Sequence, residues 1–155
     1  MPERKTIKKA KQDLAQGKSA STAAGEFIRE EMHHIREGKH GAKNAKQAIA
    51  IGLSKARRAG VAAKPGPGAS KRVRRKAAQD RAHAGKPVNP RRSRASLQAS
   101  KQQPRSAASH EALARNARTS AERRRKQGGA NSPSAVARRA ARTRKRHAHA
   151  KHAGA

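Results

Sequence analysis

The chain has 155 residues, with 40 Lys and Arg against 9 Asp and Glu, a formal net charge of +31. Its apolar fraction of 33% is mostly alanine, since Leu, Ile, Val and Phe together number 14 and there is no Trp or Tyr. So little apolar surface cannot offset the entropy of ordering the whole length, which excludes one conventional core; the lack of Cys excludes disulfides, thiolate metal sites and cysteine nucleophiles.

The first segment, PERKTIKKAKQDLAQG, places Ile7, Ala10 and Leu14 at helical spacing, an optional third helix for whatever follows. It has charges but no apolar stretch after them, so it does not read as a secretory leader. No apolar run reaches the length of a membrane span. The expected setting is the cytoplasm, associated with the nucleoid.

TAAGEFIREEMHHIREG reads as an amphipathic helix, with Ala24, Ile28, Met32 and Ile35 on one face. Glu26, Glu30 and Glu31 toward its start and Arg36 toward its end suit the helix dipole, and Gly38 is placed to stop it. KNAKQAIAIGLSKARRAG (43–60) predicts a second helix, because Asn44 and Gln47 have capping-box spacing. Its apolar stripe is Ala45, Ile49, Gly52/Leu53 and Ala56; Lys55, Arg57 and Arg58 favour its C-terminal end and Gly60 stops it. Gly52 inside a helix costs up to about 1 kcal/mol relative to Ala and implies that another backbone packs there. GKHGAK (38–43) is short enough to fold the two into an antiparallel hairpin over about 22–60. The expected core is Ile28, Met32, Ile35, Ile49 and Leu53, with Phe27 and Ile51 as additions.

At VAAKPGPGAS (61–70) charge and apolar content change together. Residues 1–40 have nine Lys and Arg against six acids, and residues 41–155 have thirty-one against three. Pro65-Gly66-Pro67-Gly68 is the strongest breaker in the chain. This divides the sequence into an α-helical module (1–61), a Pro/Gly linker (62–70) and a basic low-complexity tail (71–155). In the tail, segments beginning at Ser70, Ser109 and Ser132 are rich in the helix formers Ala and Arg but have no apolar stripe. The expectation is a mostly α, partly disordered chain, with a largely disordered tail whose helices are conditional on a polyanion.

The tail points to nucleic acid, because phosphates neutralised by Lys and Arg release counterions and give salt-sensitive affinity. With no aromatic residue to stack on bases, sequence readout is not expected. The candidate contacts are Arg72, Arg74, Arg75, Arg91, Arg92, Arg94, Arg123, Arg124, Arg125, Arg138, Arg139, Arg142, Arg144 and Arg146. NPRRSR (89–94) reads as a turn beside three arginines, suited to a minor groove but without the flanking glycine and second proline of an AT-hook. In the second helix, Lys43, Lys46, Lys55, Arg57 and Arg58 read better as a solvated outer face than as a helix-turn-helix reader. The histidines near Glu30 and Glu37 (His33, His34, His40) and the run His147, His149, His152 lack a strong metal spacing, so no metal site and no cofactor are expected. No arrangement supports catalysis, so the chain reads as neither an enzyme nor a small-molecule binder.

Residues EEMHHIREGKHGAKNAKQAIAIGLSKARRAG (30–60) resemble a small bacterial domain of unknown function, in which a Met-His stretch and a Lys-His pair precede a KQAIAIALSxAR-type helix. The matching pieces are Met32-His33, Lys39-His40 and Lys46 to Arg57, with Gly52 where that family often has Ala. The tail is similar in composition to bacterial histone-H1-like proteins, though richer in Arg and without their regular repeat. The reading favoured is binding of DNA, or of RNA, through phosphates without sequence preference, as in a nucleoid-associated, histone-H1-like protein. The alternatives are a protein-interaction module localised by the tail, with a partner or self-association completing the hairpin, and a ribosome-associated RNA binder.

Overall fold

The computed structural model describes residues 2–66, 68–127 and 137–143. Its elements are α1 (Arg4–Ala15), α2 (Ala20–Arg36), α3 (Ala45–Arg58), α4 (Lys71–Ala82), α5 (Pro90–Lys101), a 3-10 turn (Arg105–Ala108) and α6 (His110–Gln127). Residues 137–143 are also helical, and no strand occurs among the described residues. The chain forms two compact units, Met1–Leu113 and Ala114–Ala155.

Helices α2, α3, α4 and α6 start where short polar side chains can accept from exposed N–H groups. Ser19 accepts from Thr22, Asn44 from Gln47, Ser70 from Val73, and Ser109 from Ala112. The expected capping box takes a variant form, in which the Gln47 side chain accepts from the N–H of Lys43, one residue before the cap. Gly38 and Gly60 stop α2 and α3 in left-handed conformations, with φ of 78° and 92°.

Helices α2 and α3 form the expected hairpin, and α1 packs on α2 as the third helix. Two clusters make the core. One joins Ala10, Ala23, Ala24, Phe27, Ala56, Val61 and Ala63, flanked by Ile7, Ala20, Leu53 and Ala59. The other joins Met32, Ile35, Ala42, Ala48, Ala107 and Ala108, flanked by Ile28, Ile49 and Leu113. Moving toward the end of α2 therefore means moving back along α3, the antiparallel order.

The composition of this core corrects the expectation. Met32 and Ile35 are buried, but Ile28, Ile49 and Leu53 are only half-buried, as is Ile51, while Leu14 on α1 is exposed. Phe27 carries the most apolar area in the first cluster and is fully buried, a burial worth about 1.5–3 kcal/mol. The physical reason is close approach. With Gly52 and several alanines on α3 facing α2, the backbones draw together, and Ile28, Ile49 and Leu53 pack against the clusters while staying half-buried.

The boundary after residue 61 also differs. Val61 and Ala63 are buried, and the Arg57 Nε donates to the Ala63 carbonyl at 2.9 Å. Past the Pro/Gly segment, α4 returns to α3 by burying Ala77 and Asp80, and the Gly85 N–H donates to the Arg58 carbonyl at 3.1 Å. The 3-10 turn inserts Ala107 and Ala108 beneath Met32 and Ile35, and Arg36 Nε donates to the Ala108 carbonyl at 3.0 Å. Residues 71–113 thus belong to the first unit rather than to a separate tail. No apolar stripe was needed, because alanines and backbone hydrogen bonds hold these segments in place. For residues 128–136 and 144–155, the expectation of disorder with conditional helices lies outside the described residues.

Candidate nucleic-acid interface and a buried carboxylate–histidine cluster

The arginines proposed from the sequence lie on helical surfaces. On α4, Ala77 and Asp80 turn inward, leaving Arg72, Arg74 and Arg75 exposed. Arg74 Nε donates to the Ala69 carbonyl, which draws its guanidinium along the start of the helix. On α5, NPRRSR is not the expected turn. Asn89 is the N-cap, accepting from the N–H groups of Arg91 and Arg92 at 3.0 and 3.2 Å, and Pro90 takes the first helical position. The Asn-Pro pair suits either structure, and the cap geometry decides for the helix. Helix α5 buries no residue, so Arg91, Arg92 and Arg94 all remain exposed in its opening turns, where the dipole disfavours cations and favours a bound anion.

In the second unit, Arg123, Arg124 and Arg125 are exposed on the last turns of α6, and Arg138, Arg139 and Arg142 are exposed on residues 137–143. Arg144 and Arg146 lie outside the described residues.

The acids are arranged differently from these cations. Asp13 pairs with Lys18, Glu26 with Lys9 and Arg29, Glu31 with Lys55, and Glu37 with His33 and Lys39. Glu3 and Glu30 meet His34, and the buried Asp80 meets Lys76 at 2.7 Å and Arg57 at 4.0 Å. Only Glu111 and Glu122 are left outside such pairs among the described residues. Seven of the nine acids are therefore paired inside residues 3–80. Arg72, Arg75, Arg91, Arg92, Arg94, Arg123, Arg125, Arg138, Arg139 and Arg142 take no carboxylate partner among the described residues.

Helix α3 does not present all of its expected basic face. Lys43 and Lys46 are exposed, but Lys55 donates to the buried Glu31, and Arg57 is itself buried on Ala63 and Asp80. Its last turns hold the first unit together.

A second constellation was visible in the sequence only in part, as His34 and His40 near Glu30; Glu3 and Glu31 join it through the fold, and His33 does not. Two groups of donor atoms, from Glu31, His34 and His40 and from Glu3, Glu30 and His34, each lie within 4.8 Å of one another. Glu30 and Glu31 are neighbours on α2 with His34 one turn later, His40 comes from the turn into α3, and Glu3 stands at the head of α1. The backbone N–H of Glu3 donates to Glu30 Oε1 at 3.1 Å, and His34 Nε2 lies 2.9 Å from Glu3 Oε1. His40 Nε2 stands 3.5 Å from Glu31 Oε1, and the His34 and His40 rings meet edge to face at 6.3 Å. Glu31 Oε1 and Glu30 Oε2 are buried with no hydrogen-bond partner, an arrangement that costs about 1–3 kcal/mol per neutral group and more for a charge.

On the exposed rim, the hydrogen bond with His34 holds the Glu3 carboxyl below the ordinary carboxylate range. The bond from Lys39 does the same for Glu37, and that interaction raises Lys39 in turn.

A comparison of the chain with family models, curated proteins and solved structures found no match in any of the three.

Proposed function

We propose that the chain binds nucleic acid through phosphate contacts without sequence preference, in the manner of a nucleoid-associated, histone-H1-like protein. The observation that carries this reading is the separation of charge: seven of the nine acids are paired within residues 3–80, while the arginines from Arg91 onward stand exposed and, beside only Glu111 and Glu122, without carboxylate partners among the described residues. A polyphosphate is the counterion that such a surface attracts, and releasing condensed cations drives the association. Helix α5 supports the reading further, since its arginines sit at the end of the helix dipole where an anion is favoured.

Phosphate contact rather than base readout fits the absence of Trp and Tyr and the buried position of Phe27. The test is titration of duplex DNA into the full chain at several salt concentrations, with scrambled sequences and a matched RNA duplex as competitors. Steeply salt-dependent binding, equal across DNA sequences, is expected. Binding that ignores salt, or none at low salt, overturns the proposal. Preference for the RNA duplex assigns the function to RNA.

A further inference from the structure

We propose that Glu31, His34 and His40 bind a divalent transition-metal ion of the zinc class, beside the further carboxylates of Glu3 and Glu30. The donor set has the right chemistry. Two imidazoles and a carboxylate are ligands of borderline-soft cations, and three protein ligands leave a fourth position for water or a neighbouring carboxylate.

Glu31 and His34 lie one turn apart on α2, and the left-handed Gly38 lets the chain reverse so that His40 comes back over them. Their donor atoms already stand within 4.8 Å of one another. Around a tetrahedral ion with bonds of about 2.0–2.2 Å, donors stand roughly 3.4 Å apart. His40 is on a turn rather than a helix, so it can supply the remaining travel.

A second observation points independently to a cation. Glu31 is fully buried; its Oε2 accepts from Lys55, whereas its Oε1 has no donor. His40 Nε2 at 3.5 Å is the chargeable group that faces that oxygen, and it is too far for a good hydrogen bond. Glu30 Oε2 is orphaned in the same way. In a chain of net +31, three carboxylates gather around one histidine, with Lys55 and Lys39 as the cations that pair with them. An ion here would satisfy the orphaned oxygen and tie α2 to the turn that follows it.

The test uses the full chain with His147, His149 and His152 replaced by Ala, which silences the C-terminal histidine run. Zinc is titrated by calorimetry, and cobalt replaces it for visible absorption. One-to-one binding with a tetrahedral cobalt spectrum is expected, with a melting temperature that rises with zinc. Affinity should fall at least tenfold in H40A and in E31Q, and stay unchanged in H33A, since His33 is exposed and paired with Glu37.

Should E31Q fail to fold, H40A decides, because His40 lies outside the helices. Without any of these ligand substitutions, the NMR signals of His34 and His40 should shift together with zinc while that of His33 does not. Absence of one-to-one binding, unchanged affinity in folded H40A, or zinc binding only when the C-terminal histidines are present overturns the proposal, the last being adventitious chelation only.

Discussion

Gly52 of α3 stands directly on Ile28 of α2: a Cβ added to Gly52 would fall 2.8 Å from Ile28 Cα and 3.1 Å from its N. Those atoms are backbone and cannot swing aside, so α2 and α3 would have to separate. The strain of overpacking is about 1–3 kcal/mol, and Ala recovers up to about 1 kcal/mol in helix propensity. Gly52→Ala is therefore expected to lose stability, by about 1–2 kcal/mol in thermal or urea unfolding. Gly25, also helical, has nothing within 4 Å of its added Cβ, so Gly25→Ala should gain roughly 0.5–1 kcal/mol. Equal effects at the two positions would rule out close packing as the cause.

Residues beyond the Pro/Gly segment contribute to the same core. Removing residues 62–155 takes Ala107 and Ala108 from beneath Met32 and Ile35 and leaves Arg57 without Ala63 or Asp80. Chain 1–61 should melt roughly 10 °C or more below chain 1–113 by circular dichroism, since each kcal/mol moves a small domain by about 4–8 °C. Equal melting temperatures would mean that residues 62–113 rest on the module without stabilising it.

How far the fold was legible follows from the range of each signal. Asn44, Ser70 and Ser109 announce helix starts because a cap and its N–H groups lie within a few residues. Gly52 announces a close neighbour because glycine in a helix is otherwise costly. The docking of α4 left no such mark. Its inward positions are Ala77 and Asp80, an alanine among many and an acid, so no periodicity separates the buried face from the exposed one. The 3-10 turn is equally quiet, since Ala107-Ala108 looks like every other alanine pair. In the histidine cluster, His34 and His40 were visible as a spacing. Glu3 reaches His34 across 31 positions, and Glu31 looked like one acid on a dipole-matched face. Only folding shows that these carboxylates converge.

Arg57 and Asp80 join α3 to α4 through buried charge, 7% and 2% exposed. Asp80→Asn keeps the shape but removes the carboxylate from the Arg57 guanidinium at 4.0 Å and from Lys76 at 2.7 Å. Losing one partner of a buried pair costs more than the pair contributes, so a loss of about 2–4 kcal/mol is expected. The apolar double variant R57M/D80L should recover a large part of that loss in the same denaturation measurement. If the double variant is as unstable as the sum of the singles, the two side chains do not act on each other.

Acid should loosen the rim of the first unit. Glu3 and Glu37 have folded-state pKa values below the ordinary 4.5, held there first by His34 and by Lys39 respectively. A lowered carboxyl pKa contributes stability that is fully present above the unfolded value and is lost as pH falls through the folded one. Lys39 is raised above 10.5 by Glu37, so its contribution is present below 10.5 and is lost as pH rises through the folded value. Stability against urea should fall below about pH 4.5, by less in Glu37→Gln than in the parent chain, and the difference should shrink in 1 M salt because these groups are exposed. A Glu37→Gln profile identical to the parent's would remove Glu37 from the account.

Helix α5 separates binding from folding cleanly. It buries no residue, so replacing Arg91, Arg92 and Arg94 with Gln should leave the melting temperature unchanged. If each arginine neutralises a phosphate, the slope of log K against log salt should lessen by about 0.9 for every phosphate no longer neutralised, up to roughly 2.7 for the three. The weakening should be the same for unrelated DNA sequences, because phosphates carry no sequence information. A slope that stays at the parent's value, with the fold intact, would show that α5 faces away from the nucleic acid. In that case the binding surface would have to be sought among the other exposed arginines of α4, α6 and residues 137–143. A weakening confined to particular sequences would instead mean that these arginines reach base edges, and the phosphate reading of α5 would fail.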